Sequence, residues 1–145
     1  MGSTSNDNHS CYNNHMHYVL VYLVAAVVFV AIDLVWLGAV AKDFYATQLK
    51  GLLSPRPNLP AAFIFYALFV VGLLVFAVGP GVMAHSGLAD WWRGTLYGFF
   101  TYATYDLTNL ATLRNWPLKL TIVDLIWGTT LATMVTLVTL TIFAH

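Results

Sequence analysis

The amino-acid sequence predicts an all-α integral membrane protein, a four-helix bundle with both termini on the non-cytoplasmic side. Three observations predict it: an apolar composition, four long apolar stretches, and a one-sided distribution of basic residues. Of the 145 residues, 59% are hydrophobic and only 8% are charged, and the mean hydropathy is +0.73. A soluble domain carries about 25% charged residues. This composition excludes a disordered chain, a nucleic-acid binder and an ordinary cytosolic enzyme. Six basic residues balance six acidic ones, all of them Asp, so no net field attracts polyanions.

In chain order, a polar tail (residues 1–17), expected to be mobile, precedes a four-span domain (residues 18–145). The tail does not read as a signal peptide, because it lacks a basic region and the apolar stretch after it is too long. Its start, MGSTSN, has Asn6 where myristoylation needs Ser or Thr. A span needs about 20 mostly apolar residues. Four stretches qualify, at about 18–41, 60–84, 94–113 and 118–143. Asn58 is placed to cap the second, with Pro60 in its first turn. Pro and Gly mark the gaps: SPRPN, then GPG and HSG, then NWP.

Basic residues stay cytoplasmic. The first loop holds Lys42, Lys50 and Arg56, and the third holds Arg114 with Lys119 at its edge. The second holds only Arg93, and neither tail has any. Loops one and three therefore face the cytoplasm. Interfacial aromatics agree, with Trp91 and Trp92 at the outer end of span three, Trp116 at its inner end, and Phe44 and Tyr45 at the inner end of span one.

Three of the six Asp lie within spans: Asp33, Asp106 and Asp124. A mid-helix Asp costs about 2.5–3.5 kcal/mol on the insertion scale, so three ionised and unpaired acids would cost on the order of 8–10. At 1.5 Å per residue they lie about 12, 10 and 9 Å from the inner ends of their spans. Tyr66 on span two falls at nearly the same level, so every helix offers a polar group to one layer. Neighbouring residues extend this layer. Thr95, Tyr102, Asp106 and Asn109 recur at helical spacing on span three; Phe29, Asp33 and Trp36 share a face of span one; Thr121, Asp124, Trp127 and Gly128 share a face of span four. The strings IDLVWLG and VDLIWG around Asp33 and Asp124 look alike and, on antiparallel spans, read either as an inverted pair framing one site or as coincidence.

The belt also has a plain structural reading, in which protonated Asp bonds to Tyr66, Thr108 or Asn109 and fixes helix register at about 0.6 kcal/mol per bond. Span-four Thr129, Thr133, Thr136 and Thr139 are expected to bond back to their own helix carbonyls. Gly72, Gly79, Gly81, Gly94 and Gly98 suit close helix contact. In the tail, His9, Cys11, His15 and His17 are weak metal candidates whose spacing matches no zinc pattern, so no metal is expected. Asn8-His9-Ser10 is a glycosylation sequon only for a luminal eukaryotic tail. No His lies within a span, and no Lys and no Ser beside a His lies mid-span, which argues against haem, a histidine-box di-iron centre, a retinal Schiff base and an intramembrane serine hydrolase. No cofactor is expected.

AIDLVWLG, KDFY, the SPRPN loop, TYATYDLTNLATLRNWP and VDLIWGT together resemble one family, the bacterial predicted membrane proteins labelled domain of unknown function 2177. The resemblance covers about residues 18–143, and the third-span motif ending in NWP is its most specific part. It implies a four-helix bacterial inner-membrane protein and carries no activity. From the residues themselves, the leading expectation is binding or proton-coupled transport of a cation or small molecule. Asp33, Asp106 and Asp124 would be the proton or cation sites, Tyr66, Tyr102 and Asn109 would orient the ligand, and Trp36 and Trp127 would wall it. Four spans are few for a transporter, so this reading calls for a homodimer in the lipid bilayer. The alternatives are an enzyme acting on a lipid or isoprenoid through an acid–base pair of carboxyls, with a non-enzyme favoured, and a non-catalytic accessory subunit of a membrane complex.

Overall fold

Long runs of Val, Leu, Ala and Phe leave the backbone no aqueous partner in a bilayer, so it must satisfy its own hydrogen bonds, and the helix does so within one segment. The computed structural model describes residues 4–54, 56–86 and 88–144, and for residues 4–15 the backbone alone. The fold is all-helical. Helix α1 (Thr4–Val35) runs into a π-helical turn (Trp36–Val40), and α2 (Lys42–Gln48) follows as a short separate helix. Helix α3 (Leu59–Leu73) passes through a second π turn (Leu74–Val78) into α4 (Gly79–Met83). Helices α5 (Trp91–Thr112) and α6 (Leu118–Phe143) complete the chain.

Among the described residues, three helical stretches are long and apolar enough to cross a membrane: Met16–Val40, Leu59–Met83 and Leu118–Phe143. The stretch expected as the third span forms the helix α5 but falls outside this set, because Arg93, Asp106, Asn109 and its five threonines make it less apolar than the others. Its threonines 101, 104, 108 and 112 bond back to carbonyls one turn earlier, which shields them within the helix. The backbone of the polar N-terminal stretch from Thr4 is helical and continuous with α1. His9, Cys11 and His15 lie outside the described side chains, and His17 packs edge-on against Phe143. Among the described residues no His, Cys and Asp group could hold a metal ion.

The local signals act as the sequence suggests. Asn58 caps α3, its side chain accepting from the Ala61 N–H at 3.1 Å, with Pro60 in the first turn. The NWP turn reverses the chain through Asn115 at φ 62°, a left-handed conformation that Asn tolerates. Thr129, Thr133 and Thr139 bond back to their own helix. Thr136 departs from this pattern, since its buried hydroxyl has no partner among the described residues and lies against Gly94.

Helices α5 and α6 make the most extensive pairing, while α1 packs on α6 and α3, and the π turn of α3 meets α5. The close approach of α5 and α6 depends on small residues in series. Gly94 faces Thr136 and Ala132, and Gly98 faces the Gly128 carbonyl and Ala132. This is a small-xxx-small seam, Gly94/Gly98 against Gly128/Ala132/Thr136, which lets backbones touch where lipid offers no hydrophobic drive. Val21, Ala25, Leu73, Ala77, Val78, Leu131, Val135 and Leu140 fill the adjoining core. That core lies at the end of the assembly holding the start of α1 and the finish of α3 and α6. The opposite end is hollow.

Candidate functional site

The hollow end is built by four helices and the short α2. Helical spacing puts Asp33 and Trp36 on one face of α1, and the π turn beginning at Trp36 displaces the following residues so that Leu37 also faces inward. π turns inside helices recur at functional sites. Helix α6 presents Asp124 and Trp127 from its first turns. Helix α3 contributes Phe65, Tyr66 and Phe69, and α5 contributes Thr101, Tyr102 and Tyr105. Together with Tyr45 of α2, all of these side chains except Trp36 line a half-open cavity of about 410 Å³.

Both carboxyls in the cavity wall are buried, Asp33 at 5% exposure and Asp124 at 8%, and each is held by donors from other helices. Asp33 accepts from Tyr66 at 2.7 Å on one oxygen and from Trp127 Nε1 at 3.1 Å on the other. Asp124 accepts from the Tyr45 hydroxyl, and that hydroxyl accepts from Trp36 Nε1 at 3.3 Å. The two indoles stack with centroids 4.1 Å apart and planes 8° from parallel. Each tryptophan therefore serves the aspartate of the opposite helix, Trp127 directly and Trp36 through Tyr45. The Asp and Trp of both look-alike strings, IDLVWLG and VDLIWG, thus meet at one point. Burial, and then the bond to Asp124, pushes the Tyr45 hydroxyl above its ordinary pKa range, so it remains a donor across the physiological pH range.

The expected belt divides in two. Asp33, Asp124, Tyr66, Tyr102 and Trp127 line the cavity, and Trp36 stands behind Trp127 in the stack. Asp106 and Asn109 do not line it. Asp106 is wholly buried, neither of its oxygens has a hydrogen-bond partner among the described residues, and it lies within electrostatic reach of Asp124. Asn109 is half-buried one turn from Tyr105. Six lining residues carried no signal strong enough to single them out as site residues: Leu37, Tyr45, Phe65, Phe69, Thr101 and Tyr105. Tyr45 read as an interfacial aromatic because the break at Ala41 ends the periodicity that would have linked it to Trp36.

The lining is predominantly aromatic, carries two carboxyls, and contains no Lys, Arg or His. Its wall is therefore apolar, with two acidic groups and no basic one among the described residues. The family model described as predicted membrane protein, domain of unknown function 2177, matches residues 18–141. The chain belongs to this family. No curated protein and no solved structure matches it.

Proposed function

We propose that this chain crosses a bacterial inner membrane four times, with the hollow end toward the cytoplasm, and binds a cation or small molecule in the cavity with proton exchange at its carboxyls. The observation that carries this reading is the meeting of Asp33 and Asp124, from helices far apart in sequence, in one cavity wall at 5% and 8% exposure. A buried acid without function would be expected to give way to an apolar residue, given its cost in a bilayer. Asp33 and Asp124 hold the ligand, Tyr66 and Tyr102 orient it, and Asp106 behind them exchanges protons. A homodimer supplies the bulk that a transport path needs.

Reconstituted vesicles test this. A panel of inorganic cations and organic amines is added under an imposed proton gradient, and internal pH is followed with an entrapped dye. At least one cation is expected to drive proton movement, and Asp33→Asn and Asp124→Asn to reduce it at least tenfold. Equal proton movement in the wild-type protein and both variants, across the whole panel, would sink the reading.

A further inference from the structure

The composition of the cavity wall narrows the ligand to one chemical class. Ligand charge is decided first. The wall presents Asp33 and Asp124 and no cationic side chain among the described residues, so an anion meets repulsion and a neutral molecule supplies no counter-charge to the hydrogen-bonded carboxyls.

The kind of cation follows from the remaining atoms. A hard inorganic ion such as Mg²⁺ or Ca²⁺ needs about six or more oxygens at close range to replace its water. Here both oxygens of Asp33 already accept from Tyr66 and Trp127, and Asp124 already accepts from Tyr45. Much of the wall is carbon: Leu37, Phe65, Phe69 and the rings of Tyr66, Tyr102 and Trp127. Asp33, with both oxygens bonded, acts through its charge rather than by coordination, and the single further oxygen of Asp124 falls far short of a hard ion's coordination shell. Aromatic faces around such a charge form the environment that attracts a diffuse, weakly hydrated cation. The cavity of about 410 Å³ lies in the range that encloses small organic molecules.

We propose that the site takes a compact lipophilic organic monocation, a quaternary or tertiary ammonium bearing an apolar group, seated over the Tyr102, Phe69 and Trp127 rings between Asp33 and Asp124. This rests on the binding reading above and adds the ligand class to it.

The test titrates the purified full-length protein in detergent with benzyltrimethylammonium, with its uncharged carbon isostere neopentylbenzene, and with sodium and potassium chloride. Binding is read by calorimetry and by tryptophan fluorescence. Saturable binding of the ammonium is expected, with the isostere at least tenfold weaker and neither metal ion competing. Asp33→Asn and Asp124→Asn should each weaken the ammonium at least tenfold, while Asp43→Asn, which removes an exposed carboxylate, should not. Should either aspartate variant fail to fold, Tyr102→Leu removes an aromatic face and leaves both carboxyls. It should weaken the ammonium at least threefold and leave the isostere unchanged.

Equal affinity for the ammonium and its isostere overturns the class and leaves a small-molecule site. Saturable sodium or potassium binding without ammonium binding overturns it and leaves a cation site. If no probe binds, the class is overturned. The binding reading then falls only if the vesicle experiment also shows no aspartate-dependent flux.

Discussion

The two ends of this helix assembly solve opposite problems. At one end Gly94, Gly98, Gly128 and Ala132 bring α5 and α6 into backbone contact, and Val21, Leu73, Leu131, Val135 and Leu140 close the remaining space to zero exposure. At the other end tyrosines and tryptophans from the helices line a cavity of about 410 Å³. A membrane helix pair gains nothing from excluding water, so packing must come from van der Waals contact and interhelical hydrogen bonds. The closed end supplies the first and the hollow end the second. Rigidity at one end allows the other to keep space and two buried acids without collapsing.

The largest expected effect comes from breaking the closed end. A side chain at Gly98 meets the Gly128 carbonyl and lies 2.7 Å from the Ala132 Cβ, neither of which can rotate away. Gly98→Leu should therefore separate α5 from α6 and destabilise the fold by about 3 kcal/mol or more, beyond the usual overpacking penalty. In detergent melting it should lower Tm further than either Gly72→Ala or Tyr45→Phe. At Gly72 the obstacle to an alanine is the hydroxyl end of the Tyr97 side chain, not backbone, so the drop should be smaller, on the order of the bond from Tyr97 to the Phe69 carbonyl that would be lost. Similar melting of the two glycine variants would show that the seam does not hold the assembly.

The closed end was easier to read in the sequence than the hollow one. Gly94 and Gly98 stand four apart on an apolar helix, a spacing whose meaning is local, and the caps and turns at Asn58 and Asn115 likewise depend on near neighbours. The long apolar helices of α1, α3 and α6 followed from runs of apolar residues. Asp33, Asp124, Tyr66 and Trp127 were legible because a polar group in an apolar run demands a reason, and helical rise gives its depth. Depth alone did not give azimuth. Asp106 lies in the same layer by count, yet α5 turns it away from the cavity wall, because the Gly94–Gly98 seam fixes the rotation of that helix against α6. Tyr45 was hidden because its reach to Asp124 is created by the separate helix α2, which no period continues across Ala41.

Asp106 sharpens the comparison, since it is the acid that belongs to neither end. It is fully buried and its oxygens have no partner among the described residues. Leaving a buried polar group unsatisfied costs about 1–3 kcal/mol. Asp106→Leu should therefore raise unfolding stability by about that amount while lowering proton flux in vesicles. A belt that served only to fix helix register would give the opposite sign: loss of stability on substitution. Equilibrium unfolding and the flux assay on the same preparation separate the two, and a fall in both would assign Asp106 to packing.

The smallest expected effect lies at Tyr45, and it asks whether the hollow end is shut by α2 or only bordered by it. The Tyr45 hydroxyl joins α2 to α6 through Asp124 and to α1 through Trp36. Because burial holds this hydroxyl protonated well past neutrality, neither bond should weaken between about pH 6 and pH 8 on the phenol's account. Tyr45→Phe keeps the ring and removes both bonds, and interhelical bonds in membranes average about 0.6 kcal/mol, so melting should barely change. Local opening should respond more. With both bonds gone, α2 keeps only Lys119 above the Phe44 ring at 5.8 Å as a side-chain tie to α6 among the described contacts. Hydrogen exchange at Lys42–Gln48 should then rise severalfold while exchange in the α5–α6 seam stays fixed. Unchanged exchange in α2 would mean that its backbone packing, and not the Tyr45 bond, sets the border of the cavity.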